Sequence, residues 1–160
     1  MFLKLLLFAS IVLTAVAGFG ETKSYDSPTK AIHALIVPVG TKGYETYESR
    51  VDIRSSSVAL LRSKSFASRD HNHGQGVDHA EWTADGRFFV FNTDSSGGHQ
   101  PWHFATYLYS VGSNRFYVVD SVAGPITSDF TLRGETIEAT RMGATVDDRV
   151  PITIRLSRCC

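Results

Sequence analysis

Histidines dominate the residues of this chain that can perform chemistry. Five of the six lie between positions 71 and 103, and Asp70 and Asp78 stand beside two of them. Neutral imidazole is a common ligand for divalent transition metals, and a carboxylate can complete such a site. One hypothesis is therefore a metal-dependent enzyme, a hydrolase, that holds zinc or another divalent transition metal with His71, His73, His79, His99 and His103.

The spacing of these histidines argues against the best-known zinc motif. His71 and His73 share a face only if their segment is extended. Pro101 lies between His99 and His103 and disfavours a helix there. No glutamate stands between the same two histidines to act as a general base, so the zinc-protease pattern is absent.

The segment from Ser95 to His103 suggests binding. Gly97 and Gly98 allow the backbone to approach a ligand closely, and Pro101 then stiffens the chain. An indole beside two imidazoles offers a flat surface for a planar ligand such as a sugar. We therefore predict that a ligand-binding set is formed by His99, Trp102 and His103. We expect this set at the mouth of a concave surface, with residues 71–76 of a second polar loop close by.

Composition and missing motifs exclude several function classes. The chain has 16 basic and 16 acidic residues, so it lacks the positive charge typical of nucleic-acid binding. Phosphate-binding glycine loops, dinucleotide fingerprints and the Gly-x-Ser-x-Gly nucleophile motif do not occur. The leading prediction is a non-enzymatic binding module without a cofactor, whose partner is an unknown protein or small molecule.

The first 17 residues have the pattern of a secretory signal peptide. Lys4 precedes an apolar run from Leu5 to Leu13, and Ala15 and Ala17 fit the cleavage pattern. The run is too short to span a bilayer. We predict cleavage after Ala17, a secreted or periplasmic product, and no membrane span after leader removal.

The rest of the chain divides into three predicted parts. Residues 18–30 are polar and predict a loose arm, residues 31–158 a single β domain, and residues 159–160 a C-terminal cysteine pair. A bond between the neighbouring cysteines Cys159 and Cys160 would close almost no loop. The domain must therefore rely on its hydrophobic core.

Alternating apolar and polar residues in short runs predict an all-β fold of antiparallel sheets. The strongest hairpin signal is Asp85-Gly86, and Gly112-Ser113-Asn114 is another. The continuous apolar run Phe88–Phe91 predicts a central strand that is buried on both faces. The long polar loops are predicted at residues 66–77 and 94–101.

The residues from Glu81 to Phe91, with a tryptophan, an Asp-Gly turn and an apolar strand, resemble one blade of a TolB-like or WD40-like β-propeller. The resemblance extends over about residues 79–120 and implies a four-stranded antiparallel blade. Only one copy occurs, which favours a small sandwich or an open propeller fragment. The segment 95–103 also resembles small exported bacterial proteins of unassigned function.

Overall fold

The computed structural model describes residues 21–39, 48–71, 73–95, 102–145 and 147–160, and it confirms the predicted all-β class. The strands form three antiparallel sheets. The first sheet has the order β1-β2-β3-β4 and consists of Lys23–Asp26 (β1), Ile32–Pro38 (β2), Ser49–Ser55 (β3) and Leu60–Ser65 (β4).

The second sheet is a meander that covers most of the blade-like segment. Its strands, in the order β5-β6-β7-β8, are Gln75–Trp82 (β5), Phe88–Ser95 (β6), Ala105–Ser110 (β7) and Arg115–Val118 (β8). A short helix, α1, follows at Asp120–Ala123. The third sheet has the order β11-β10-β9 and consists of Thr131–Arg133 (β9), Thr136–Met142 (β10) and Arg149–Arg155 (β11), after which a single 3-10 turn spans Leu156–Cys159.

The second sheet is the middle layer of the molecule. Phe89 and Phe91 pack with the first sheet, where Ala34, Ile36, Val51 and Ile53 are buried. On the opposite face, Phe88 and Val90 pack with side chains of the third sheet, including Ile137 and Ile154. All four residues of the apolar run are less than 7% exposed. The prediction of a central strand buried on both faces is therefore confirmed.

The predicted hairpin turns form where turn chemistry required them. Gly86 has a φ of +70°, a conformation that glycine adopts without steric cost. Asp85 accepts hydrogen bonds from the Thr83 hydroxyl and from the Arg87 backbone and side chain. The bond from the Arg87 side chain is the main cause that lowers the pKa of Asp85 to about 2.

Three predicted boundaries differ from the structure. The polar arm predicted at residues 18–30 contains β1, which pairs with β2 along its length. This strand is polar because it lies at an edge, yet the Tyr25 ring packs on Phe89 at 5.7 Å. The loop predicted at 66–77 ends earlier, because β5 begins at Gln75 and pairs with Ser95. The loop predicted at 94–101 begins later, because β6 extends to Ser95.

Strand register gathers several connections at one end of the molecule, which we call the loop end. Gln75 begins β5 opposite Ser95 at the end of β6, and Ala105 begins β7 opposite Thr93. The first sheet reaches the same end, since the Val77 N–H donates to the Ser49 hydroxyl at 3.2 Å. In the described part of the chain, no helix is long and apolar enough to cross a membrane.

Candidate functional site

A cavity of about 320 Å³ opens at the loop end of the second sheet. Gly76 lies opposite Asp94 in the β5–β6 register and contributes no side chain, which leaves space there. The cavity is lined by Lys23, Gly76, Val77, Asp78, Asp94 and Ser95. Ser95 is also the last described residue before Trp102, and the predicted binding residue His99 lies outside the described residues.

A β-bulge in β5 borders this cavity. Val77 pairs with Thr93 and Ala80 pairs with Phe91, so Asp78 and His79 together oppose Asn92. At the bulge, Asn92 Oδ1 accepts a hydrogen bond from the His79 N–H at 2.9 Å, in place of a backbone acceptor on β6. Bulges bend a strand and redirect its side chains, and they are frequent beside functional sites.

The charges around the cavity are two carboxylates and one ammonium group. Burial, and next the negative charge of Asp78, raise the pKa of Asp94 above its ordinary value. Both effects disfavour the ionised form of Asp94. A cationic group between Asp78 and Asp94 would relieve this repulsion, and Lys23 contributes a donor at the rim.

A buried glutamate organises the neighbouring loop between β4 and β5. The Glu48 side chain is fully buried, and its Oε1 accepts hydrogen bonds from the Gly74 N–H at 2.6 Å and the Ser68 hydroxyl at 2.7 Å. Its Oε2 accepts from the Ser68 N–H at 3.2 Å and from His71 Nδ1 at 3.3 Å. Burial by itself raises the pKa of Glu48, but the hydrogen bonds from Ser68, Gly74 and His71 outweigh it and hold the pKa below its usual value.

The same loop contains a second histidine–carboxylate pair. His73 Nδ1 lies 2.6 Å from Asp70 Oδ2, and both groups are more than half exposed. The Ser68 hydroxyl contacts both Asp70 and Glu48, so it joins the two pairs. His71 and His73 therefore belong to one hydrogen-bonded loop, but each ring has its own carboxylate.

Trp102 and His103 lie together before β7. Their rings stack with centroids 5.5 Å apart and an interplanar angle of 27°. His103 Nε2 donates to Asp120 Oδ2 at 2.7 Å, and Asp120 is fixed in turn by the N–H groups of Thr106 and Ile126. An imidazole held in a fixed orientation is suited to hydrogen bonding with a ligand.

His79 lies apart from these residues, on the face of the second sheet that packs toward the third. Its Nδ1 donates to Asp129 Oδ2 at 2.7 Å, and its ring lies 4.6 Å from the Phe130 ring. Asn92 donates to the other oxygen of Asp129 at 2.8 Å. This network connects β5 and β6 with the segment that leads into the third sheet.

Each histidine that the structure describes has a nearby carboxylate. The four described members of the predicted metal set use four different acids: Glu48 for His71, Asp70 for His73, Asp129 for His79 and Asp120 for His103. Among the described residues, no group of three or more histidine, cysteine, aspartate or glutamate side chains is arranged to hold a metal ion. His99 lies outside the described residues, so the metal set and the ligand-binding set that include it stay predictions.

The cysteines offer little thiolate chemistry at neutral pH. Both are free, with Cys159 partly buried against the core of the third sheet and Cys160 exposed. Burial raises the pKa of both thiols, and each of the two pKa values lies above the ordinary one. A thiol in that state is a poor nucleophile.

Sequence reasoning missed the carboxylates that hold the histidines. Glu48, Asp120 and Asp129 lie 17 to 50 positions from their partners along the chain. Only Asp70 could be recognised, because it directly precedes His71. Lys23 and Asp94 at the cavity were missed for the same reason, since they lie in different sheets and only the packing of those sheets brings them together.

Comparison of the chain with known protein families, with curated proteins and with solved structures gives no match. The structure supports an all-β protein of three small antiparallel sheets, and the blade-like segment forms a four-stranded meander within it.

Proposed function

We propose that this chain is an exported, non-enzymatic binding module whose ligand surface lies at the loop end of the second sheet. The observation that carries the proposal is the cavity between the ends of β5 and β6, which the carboxylates of Asp78 and Asp94 line. Ligand sites are concave and contain a few well-placed polar groups. The volume of about 320 Å³ suits a small ligand or the side chain of a protein partner.

The lining favours a ligand with an ammonium group. Asp78 and Asp94 supply two carboxylates, and the pKa of Asp94 is raised by its burial and by Asp78. A bound cation would offset that repulsion, so the charges of the lining favour one. Lys23 adds a donor for an oxygen acceptor elsewhere on the same ligand.

The test uses putrescine as a cationic probe and 1,4-butanediol as its neutral counterpart. We expect putrescine, followed by amide chemical shifts, to perturb Gly76, Val77 and Asp94, while the diol leaves them unchanged. Replacing Asp78 by asparagine should weaken the response about tenfold, whereas Asp147→Asn, at an exposed turn outside the cavity, should not. Equal responses to the two probes, or none to either, would refute a cationic ligand at this cavity.

Export and the metal alternative have separate tests. Export is supported by Lys4, the apolar run and the Ala15-x-Ala17 pattern, and N-terminal sequencing of the exported product should begin at Gly18. Zinc retained in a one-to-one ratio after dialysis, and lost on replacing His99 or His103, would favour the metal-dependent hydrolase instead.

A further inference from the structure

The turn between β3 and β4 contains a residue that neither packing nor backbone preference explains. Val58 has a φ of +66°, which is a true outlier for a β-branched residue. Its side chain is 67% exposed, so burial gives no compensation. Backbone strain of this kind concentrates at functional positions.

Apolar exposure continues from this turn into β4. Leu60 is 53% exposed and Leu61 is 37% exposed. In the described part of the chain five large hydrophobic residues are exposed, and Val58, Leu60 and Leu61 are three of them. This hairpin therefore exposes three large apolar residues, and exposed apolar surface of this kind is a feature of interaction sites.

The outer edge of β4 carries backbone groups that no described strand pairs with. Among the described strands of the first sheet, β4 pairs with β3 alone. The Phe66 N–H donates to the Ser49 carbonyl, and in the register of the two strands this places Lys64 and Arg62 at hydrogen-bonded positions. The backbone groups of Ser63 and Ser65 therefore face away from β3.

The charge along this edge is positive, although the whole chain is neutral. Arg62 is exposed and has no ion pair with a described residue, and Lys64 lies over the rings of Phe66 and Tyr107. The nearest acid on β3, Asp52, is buried and already accepts hydrogen bonds from Arg50 and Ser63. The Arg62 charge is thus available to a partner.

We propose that β4 is a docking edge for an extended acidic segment of a partner protein, which pairs with Ser63 and Ser65 as a fifth strand. Strand addition draws affinity from main-chain hydrogen bonds and specificity from alternate side chains. Carboxylates of the partner face Arg62, and its apolar residues, on the other face of the added strand, cover Leu61. A second copy of this chain is disfavoured, because paired β4 edges would bring like charges together.

The probes are two blocked nonapeptides, one alternating valine with glutamate and the other alternating valine with lysine. We expect the glutamate peptide to slow amide exchange at Ser63 and Ser65 by about tenfold or more at saturation, and the lysine peptide to have no effect. Absence of protection with the glutamate peptide, or equal protection with both peptides, overturns the proposal.

Two variants test whether the peptide pairs with the outer edge of β4 and whether Arg62 selects its charge. Ser65→Pro removes a donor that faces away from β3, so the sheet is retained while peptide pairing is lost. Arg62→Glu should reverse the preference to the lysine peptide, and it keeps the proposal falsifiable if the proline variant does not fold. Binding that survives Ser65→Pro in a folded protein contradicts strand addition. Protection of Val58 and Leu60 by phosphatidylserine vesicles, without any effect of the peptides, would instead identify a membrane contact.

Discussion

Replacing Glu48 by glutamine is expected to lower the free energy of unfolding by about 1.5–3 kcal/mol at neutral pH. The substitution preserves the size and shape of the side chain. It removes the negative charge and one hydrogen-bond acceptor from a site where the side chain is fully buried. The loop between β4 and β5, which carries His71 and His73, should loosen as a result.

The magnitude follows from the hydrogen bonds described at the two oxygens of Glu48. A glutamine oxygen in the position of Oε1 keeps the bonds from Gly74 and from the Ser68 hydroxyl. The glutamine NH2 group then replaces Oε2, which has two described partners. His71 Nδ1 can accept from this NH2 group in its other tautomer, but the Ser68 N–H loses its acceptor. One lost bond to a charged group is worth about 1.5–3 kcal/mol.

The effect depends on pH with a definite sign. The pKa of Glu48 in the folded protein lies below its ordinary value of 4.5. The stabilisation from its charge is complete above that unfolded-state value and is lost as the pH falls through the lower folded-state value. Glutamine does not titrate, so the difference between the two proteins should shrink on acidification.

Urea unfolding at about pH 7 and at about pH 3 measures both quantities. Glu138→Gln is the matched control, because Glu138 is exposed and pairs only with Arg133 among the contacts described. Its effect should stay within about 1 kcal/mol. Equal losses for Glu48→Gln and Glu138→Gln, or a Glu48→Gln effect that does not change with pH, would refute the assigned role of the buried carboxylate.

Three further variants test the core, the cavity and the strained turn. Phe89→Ala should cost about 3–5 kcal/mol in urea unfolding, because the side chain is fully buried in the middle layer, and a loss under about 1 kcal/mol would contradict that position. Asp94→Asn should raise the free energy of unfolding at neutral pH by about 0.2–0.5 kcal/mol, since its repulsion from Asp78 acts between two exposed carboxylates and is screened by solvent, and a destabilised variant would argue against this repulsion. Val58→Asn should stabilise the fold by about 1 kcal/mol, because asparagine tolerates the positive φ, and a destabilised variant would show that the turn is not strained.

The sequence predicted the local features of the fold well. Turn chemistry at Asp85-Gly86 and at Asn114 identified two hairpins, since positive φ values favour these residue types. The run Phe88–Phe91 indicated a strand covered on both faces, because no polar residue marks a solvent side. Strand β1 was missed because its sequence, Lys-Ser-Tyr-Asp, has the composition of a loop. Its place at a sheet edge, with Tyr25 alone reaching the core, explains that composition.

The sequence by itself determined the fold class and its central strand, because hydrophobic alternation and turn residues act over a few neighbouring positions. Only the tertiary structure decided which acid each histidine meets. His79 and Asp129 are 50 positions apart, and His71 and Glu48 are 23 apart. Such pairs depend on the stacking and register of sheets, which no short pattern specifies. The cavity arose in the same way, from a bulge in β5, a glycine opposite Asp94, and Lys23 from another sheet.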